Sequence, residues 1–415
     1  MHFSIDATFI VNLLILVSAI GYGYTKVPPS PVRRIFLPAL CFKIFCSVAF
    51  GLMYFFYFRE GDTIGFYNQA LDLAKLPLDT YLKEVFLTSI PFDKRSVLPV
   101  VKITSLALLA TGQNYWLAAV YFGLFSFAGA YYFIHQLVKA YPTIALPAIV
   151  SFLFVPSLVF WSSGILKETL VFGLIMFLAG FYLRFHFCRK FNYWHVVLAI
   201  FGGWLMVKLK YYIAAVCLPI LLILFILSVL EKYEASGRLK PSSKYWIVAL
   251  AAIGVVFLAI NLQYNLNPTR LFSVITANQQ EVVEMSGHKN AIQYFDQTKS
   301  AWLVLPNLFI ACFSGLFRPL FFDSIHLPQA LAIIENLVVL VLFLASFRRK
   351  LSINAEDKPL LFGALVYILI LASLLAYSSP NFGALSRYKV YYMPFFLLLI
   401  LHKNPMLLLF QNKSE

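Results

Sequence analysis

Apolar positions along this chain fall in long blocks with short polar stretches between them. Phe9–Tyr24 is one block, Ile35–Phe58 is broken only by Lys43, and Leu327–Phe347 only by Glu335. About 20 apolar residues carry a helix across the hydrocarbon core. A backbone in lipid must satisfy its own polar groups, so blocks of this kind predict transmembrane helices. The alternating segments of about ten residues that mark a membrane β-barrel are absent from the sequence. The pattern places helices near 7–24, 35–57, 114–136, 143–160, 165–185, 193–208, 211–230, 245–263, 327–347, 358–377 and 388–403. The expected fold is all-α, a polytopic transmembrane helical bundle of about 11 helices (range 10–13), forming a single transmembrane domain over 1–415.

Two longer polar segments, 58–113 and 264–326, interrupt this rhythm. In the first, Phe66, Ala70, Leu73 and Ala74 recur at helical spacing, which predicts an amphipathic helix lying on the membrane. The second contains the apolar stretch 302–317, read as a re-entrant or interfacial element, because a full crossing would invert every later loop.

Composition agrees with a membrane protein. Of 415 residues, 61% are hydrophobic and 12% charged, against about 45–50% and about 25% in soluble domains. Mean hydropathy is +0.80. The net charge of +15 invites a nucleic-acid reading, but the basic residues lie mostly between apolar blocks, as in cytoplasmic loops, so no nucleic-acid partner is expected. One face collects Lys26, Arg33, Arg34, Lys139, Arg184, Arg189, Lys190, Lys232, Arg238, Lys240, Lys244, Arg348, Arg349, Lys350, Lys358, Lys403 and Lys413. The short loops of the other face carry only Lys167, Lys208, Lys210, Arg387 and Lys389. The first face is therefore expected in the cytoplasm, with both long segments on the outer side. The first apolar block, with no basic stretch before it, reads as a retained helix. Cys41, Cys46, Cys188, Cys217 and Cys312 are scattered and read as small packing residues, so neither a metal site nor another cofactor is expected.

Candidate chemistry collects at the outer boundary. Asp62 opens the amphipathic helix, either as its N-cap or as a carboxylate able to take a proton from an acceptor hydroxyl. Lys167 and Glu168 follow a tight turn that begins near Pro156; they serve as an interfacial cap and a snorkelling lysine, or they face a cavity. Lys208 and Lys210 stand on the face that otherwise avoids lysine, bound to lipid headgroups or to an anionic ligand. Arg318 ends the 302–317 stretch, and Glu335 lies within the next helix, facing a buried base or the bundle interior. Arg387 and Tyr388 open the last helix, as an interfacial anchor or as a fork of donors for phosphate. A carboxylate and several bases around one outer cavity would suit transfer from a phosphate-bearing lipid.

These features resemble the GT-C superfamily of membrane glycosyltransferases, which use polyprenyl-phosphate-linked sugars. Gly61-Asp62 with Tyr67 is similar to the acidic residue and nearby tyrosine of that family's first outer loop, and the resemblance implies Asp62 as catalytic base. Pro156 to Glu168 looks like the family's Pro-containing helix, acidic turn and following apolar helix. Arg387-Tyr388 with Pro394 resembles the late Arg-Tyr pair, and Gly112 to Trp116 is compatible with the pattern. The chain has Thr63 where several of these families place a second acid. On this reading Arg387, with Lys208 or Lys210 and Arg318, holds the lipid phosphate, Lys167 and Glu168 shape the sugar or acceptor pocket, and Tyr67 and Tyr388 complete the expected substrate-binding set. The resemblance also implies a bacterial inner membrane with a periplasmic active site. The expected partners are a polyprenyl-phosphate-linked sugar donor, a lipid-linked or surface glycan acceptor and membrane lipids. An O-antigen-like polymerase or ligase, resting on arginines, and a lipid-saccharide transporter or flippase are the alternatives.

Overall fold

The computed structural model describes residues 6–26, 30–87, 97–188, 193–262, 267–286, 291–295, 301–323, 327–348, 354 and 357–407. Arg189, Lys190, Arg349, Lys350 and Lys413 of the basic face lie outside the described residues, as do parts of both long polar segments. Among the described residues the architecture is helical, with one isolated bridge between Ala291 and Asn381. Six helices are long and apolar enough to cross a membrane: Ala7–Thr25, Phe36–Phe58, Tyr115–Ala140, Lys167–Cys188, Tyr211–Ala235 and Lys358–Ser378. The pair Phe382–Tyr391 and Met393–Leu401, bent by 67°, makes a seventh if counted as one span. Their outer faces expose apolar side chains such as Leu14 and Phe362, as lipid contact requires.

Of the other expected spans, Tyr193–Leu209 has 17 residues, Pro241–Leu262 has 22 and Leu327–Ser346 has 20, and local chemistry explains the clearest break. The stretch near 143–160 is not one helix. It ends as a π-turn at Phe154, passes through extended Val155 and restarts at Pro156–Trp161. Pro156 has no N–H to continue the ladder and holds Val155 out of the helical region. The apolar helix Val304–Phe317 has 14 residues, fewer than the roughly 20 of a crossing.

Two compact units emerge from the contacts: residues 1–183 with 191–210, and residues 184–190 with 211–415. The first is organised around Phe36–Leu52, which packs on Tyr115–Ala140. Close backbone approach holds Tyr115–Ala140 against Lys167–Cys188: a Cβ added at Gly129 would fall 2.3 Å from the carbonyl oxygen of Gly173. With no hydrophobic driving force between helices in lipid, small residues of this kind supply the contact. The first helix is tied in by Asn12, whose Nδ2 donates to the Ala110 carbonyl at 3.0 Å and whose Oδ1 accepts from Tyr121 at 2.8 Å.

In the second unit Val304–Phe317 packs along Lys358–Ser378. The stretch 291–295 is stitched to this pair. Ile292 N donates to the Pro380 carbonyl at 2.7 Å, and Asn307 exchanges two bonds of 2.9 Å with the Phe295 backbone. Ile292, Ala311, Ala376, Tyr377, Phe382 and Leu385 form the apolar cluster beneath.

Gly129→Val tests the close approach in the first unit. Overpacking here costs about 1–3 kcal/mol, read as a lowered thermal midpoint of the detergent-solubilised chain. An unchanged midpoint contradicts the backbone contact.

Candidate functional site at the rim of the first unit

The first long polar segment begins with a helix whose start is set by backbone geometry. The π-turn Met53–Phe58 ends at Arg59, with left-handed φ of 61°, and the Asp62–Ala74 helix follows with Gly61 as its N-cap. The capping role expected of Asp62 is therefore corrected by one residue. Gly61 occupies the cap without a side chain, and Asp62 is the first helical residue. Its carboxylate is exposed in the first turn, where the positive end of the helix dipole favours negative charge.

Thr63, Phe66, Ala70 and Ala74 form the buried face of this helix, which packs on Leu98–Ala110. Thr63 Oγ1 and the Tyr115 hydroxyl share a 2.9 Å hydrogen bond. Tyr67 stands edge-on to Phe55 and Tyr115, with ring centroids 6.4 and 5.4 Å away. Its hydroxyl donates to the Gln113 carbonyl at 3.1 Å. Burial raises the Tyr67 phenol above its usual range, which keeps it protonated and donating at neutral pH. Asn114, next to Gln113, caps Tyr115–Ala140 by accepting from the N–H groups of Trp116 and Leu117.

The Phe66 ring connects this helix to the other candidate cations. Phe66 lies one turn after Asp62 on this helix, on its buried face, and the half-buried Lys167 ammonium sits 5.6 Å from its ring centroid. The next residue, Glu168, is 1% exposed and accepts from Lys210 Nζ at 2.7 Å; Lys210 is 6% exposed. Lys210 is thus turned inward onto a carboxylate. Lys208 is exposed, with its ammonium 5.9 Å from the Trp204 ring, a setting that suits an interfacial lysine. Within the first unit, Lys167 therefore meets the Asp62–Ala74 helix at Phe66, and its neighbour Glu168 pairs with Lys210.

Arg318, Arg387 and Tyr388 belong to the second unit. Both Arg318 Nε, at 3.1 Å, and its terminal nitrogen bond the buried Asp323 carboxylate, which also accepts from Leu320 N at 2.8 Å. The guanidinium lies 5.0 Å from the Phe382 ring. Burial pushes the Tyr294 phenol up, opposed by the charge of Arg318. The Arg387 guanidinium lies 5.4 Å from the Tyr388 ring.

Two buried lysines escaped the sequence reading as functional residues. Lys43, 4% exposed, donates to the carbonyls of Val159 and Ser162 and, at 2.7 Å, to Ser162 Oγ. Lys389, 5% exposed, donates to Asn336 Oδ1 at 2.7 Å and to the Leu316 carbonyl at 3.3 Å. Glu335 precedes Asn336 on the Leu327–Ser346 helix. The available signal was a charge inside an otherwise apolar block, which usually faces a partner or a cavity. Among the described residues no group of three His, Cys, Asp or Glu side chains is placed to hold a metal ion.

Breaking the Glu168–Lys210 pair from one side leaves a buried charge without its partner. Lys210→Met alone should cost about 3–5 kcal/mol, whereas Glu168→Leu with Lys210→Met should recover most of that loss. Thermal midpoints of the two variants compare them directly; a double variant no more stable than the single contradicts the pairing. Set beside protein-family models, curated proteins and solved structures, the chain matches none.

Proposed function

We infer that the protein is a membrane glycosyltransferase of GT-C type. In this reading it moves a sugar from a polyprenyl-phosphate-linked donor to a lipid-linked or surface glycan acceptor, at the periplasmic face of a bacterial inner membrane. One observation carries the reading: an exposed carboxylate, Asp62, stands one helical turn from the ring that supports the Lys167 ammonium. An acid–base group and a cation on one water-facing rim are what glycosyl transfer from a lipid phosphate needs.

Asp62 accepts the proton of the acceptor hydroxyl as its oxygen bonds to the anomeric carbon of the sugar. The bond from that carbon to the phosphate oxygen breaks, its electron pair leaves with the polyprenyl phosphate, and Lys167 offsets the charge that develops there. Glu168 shapes the pocket beside Lys167, and Lys210, paired with it at 2.7 Å, holds it in place. Lys208 remains an exposed cation for the headgroup. Tyr67, protonated and anchored to Gln113, lines the rim behind Asp62. The arginine-based polymerase reading draws on Arg318, which already directs two donors to Asp323. The base-centred reading is therefore preferred.

Proteoliposomes supplied with a labelled polyprenyl-phosphate sugar and acceptor test the proposal. Asp62→Asn should lower transfer about 10²–10⁴-fold at normal expression and unchanged thermal midpoint. Transfer at the wild-type rate in that variant removes Asp62 as the base. Movement of donor across the bilayer without product makes the chain a transporter.

A further inference from the structure

Lys43 lies inside a candidate membrane span, and its side-chain nitrogen bonds neutral oxygens of Val159 and Ser162. An ammonium has three donors. Lys43 directs them at the Val159 carbonyl (3.3 Å), the Ser162 carbonyl and Ser162 Oγ (2.7 Å). Those acceptors belong to the end of the short Pro156–Trp161 helix, where carbonyls have no partner within the helix and the dipole is negative. Ser126 Oγ, from the Tyr115–Ala140 helix, donates to the same Ser162 carbonyl at 2.8 Å. A cavity of about 10 Å³, bordered by Lys43, Ser126 and Phe172, adjoins them, enough for about one water.

The segment so held is unusual for a membrane protein. Ser162, Ser163, Gly164, Ile165 and Leu166 are all buried, and none is helical. Non-helical backbone buried in this way needs its polar groups satisfied by protein. Gly164 takes φ of 74°, and a Cβ there would fall 2.5 Å from the Phe50 ring. Thr169 Oγ1 reaches back to the Ser163 carbonyl at 3.1 Å. The turn has one register, and it ends at Lys167 and Glu168.

We propose that Lys43 is a positioning residue: by holding the carbonyls of Val159 and Ser162 it fixes the 162–166 turn that delivers Lys167 and Glu168 to the rim. The part of this inference that concerns catalysis rests on the function proposed above; the part that concerns the turn does not. A methionine at position 43 would suit an apolar span but would remove one donor from each of two buried carbonyls, leaving Val159 to the Ser163 hydroxyl at 2.6 Å and Ser162 to that of Ser126. The loss should therefore appear first in the turn and then in the geometry of Lys167.

The test compares full-length wild type and Lys43→Met in detergent, by hydrogen–deuterium exchange and by sugar transfer. Peptides covering 159–169 should exchange at least about tenfold faster in the variant, with peptides of the Asp62–Ala74 helix unchanged. Transfer should fall about 10²-fold, the scale on which small misplacements act. Adding Lys167→Met should lower it little further, because both changes act through one group. Unchanged exchange in 159–169 overturns the proposal. So does a double variant whose losses multiply, since Lys43 would then stabilise the fold without acting through Lys167. If Lys43→Met does not accumulate, Ser162→Ala replaces it, because it removes the hydroxyl that Lys43 Nζ bonds at 2.7 Å. That variant must speed exchange in the same peptides, and unchanged exchange in it overturns the proposal equally. If wild type transfers no sugar, the proposed function fails, and the exchange result alone decides the role of Lys43.

Discussion

A carbonyl at the end of a helix, shut away from water, must find a donor. In this protein several apolar helices stop short inside protein, and their terminal carbonyls would be orphaned in lipid. Each unit answers with polar side chains from other elements. Lys43 and Ser126 serve the end of Pro156–Trp161 in the first unit. Lys389 serves Leu316, and the Tyr392 hydroxyl serves Gly315 at 2.7 Å, at the end of Val304–Phe317 in the second. Asn336 Nδ2 meets the Pro319 carbonyl at 2.9 Å just beyond that end. An ion at the centre of a membrane helix costs about 2.5–3.5 kcal/mol on insertion scales. Lys43 shares these carbonyls with other donors, Ser163 Oγ on Val159 at 2.6 Å and Ser126 Oγ on Ser162 at 2.8 Å, so its bonds offset only part of that cost.

The same constraint builds the rim. A turn of five buried, non-helical residues needs its polar groups satisfied and its register fixed, and the residue that follows it inherits that fixed position. Lys167 emerges half-buried over Phe66, and Glu168 is locked inward by Lys210. Asp62 is held differently. Its helix is anchored by a buried face and by the Thr63–Tyr115 bond, which leaves the carboxylate in water at the helix start. An exposed carboxylate at the start of the helix that meets Lys167 at Phe66 thus follows from packing and satisfaction of the backbone.

The sequence made the apolar blocks legible, because burial in lipid demands a length and a composition that show in a single pass. It also showed where the rim helix begins, missing by one residue since Gly61 caps through backbone conformation alone. The break at Val155 was readable in principle from Pro156, yet a continuous apolar run hid it. The Glu168–Lys210 pair was not readable as a pair: its members lie 42 residues apart, and each has an ordinary interfacial explanation. Lys43 was harder still. Its partners are backbone oxygens 116 and 119 residues away, and a carbonyl leaves no mark in the amino-acid code. Arg318 looked like a free anion ligand because Asp323 reaches it only through the turn between them.

The central claim is that a rigid polar scaffold inside the first unit presents Asp62 and Lys167 together to a lipid-linked sugar. A cryo-electron microscopy map of the chain in lipid nanodiscs, with a short-chain polyprenyl-phosphate sugar bound, tests it most directly. The account predicts sugar density against the Asp62 carboxylate and phosphate density on the Lys167 ammonium, with Lys43 still bonded to Ser162. Ligand density away from both residues, or a 162–166 segment refolded as helix with Lys43 turned elsewhere, would contradict it.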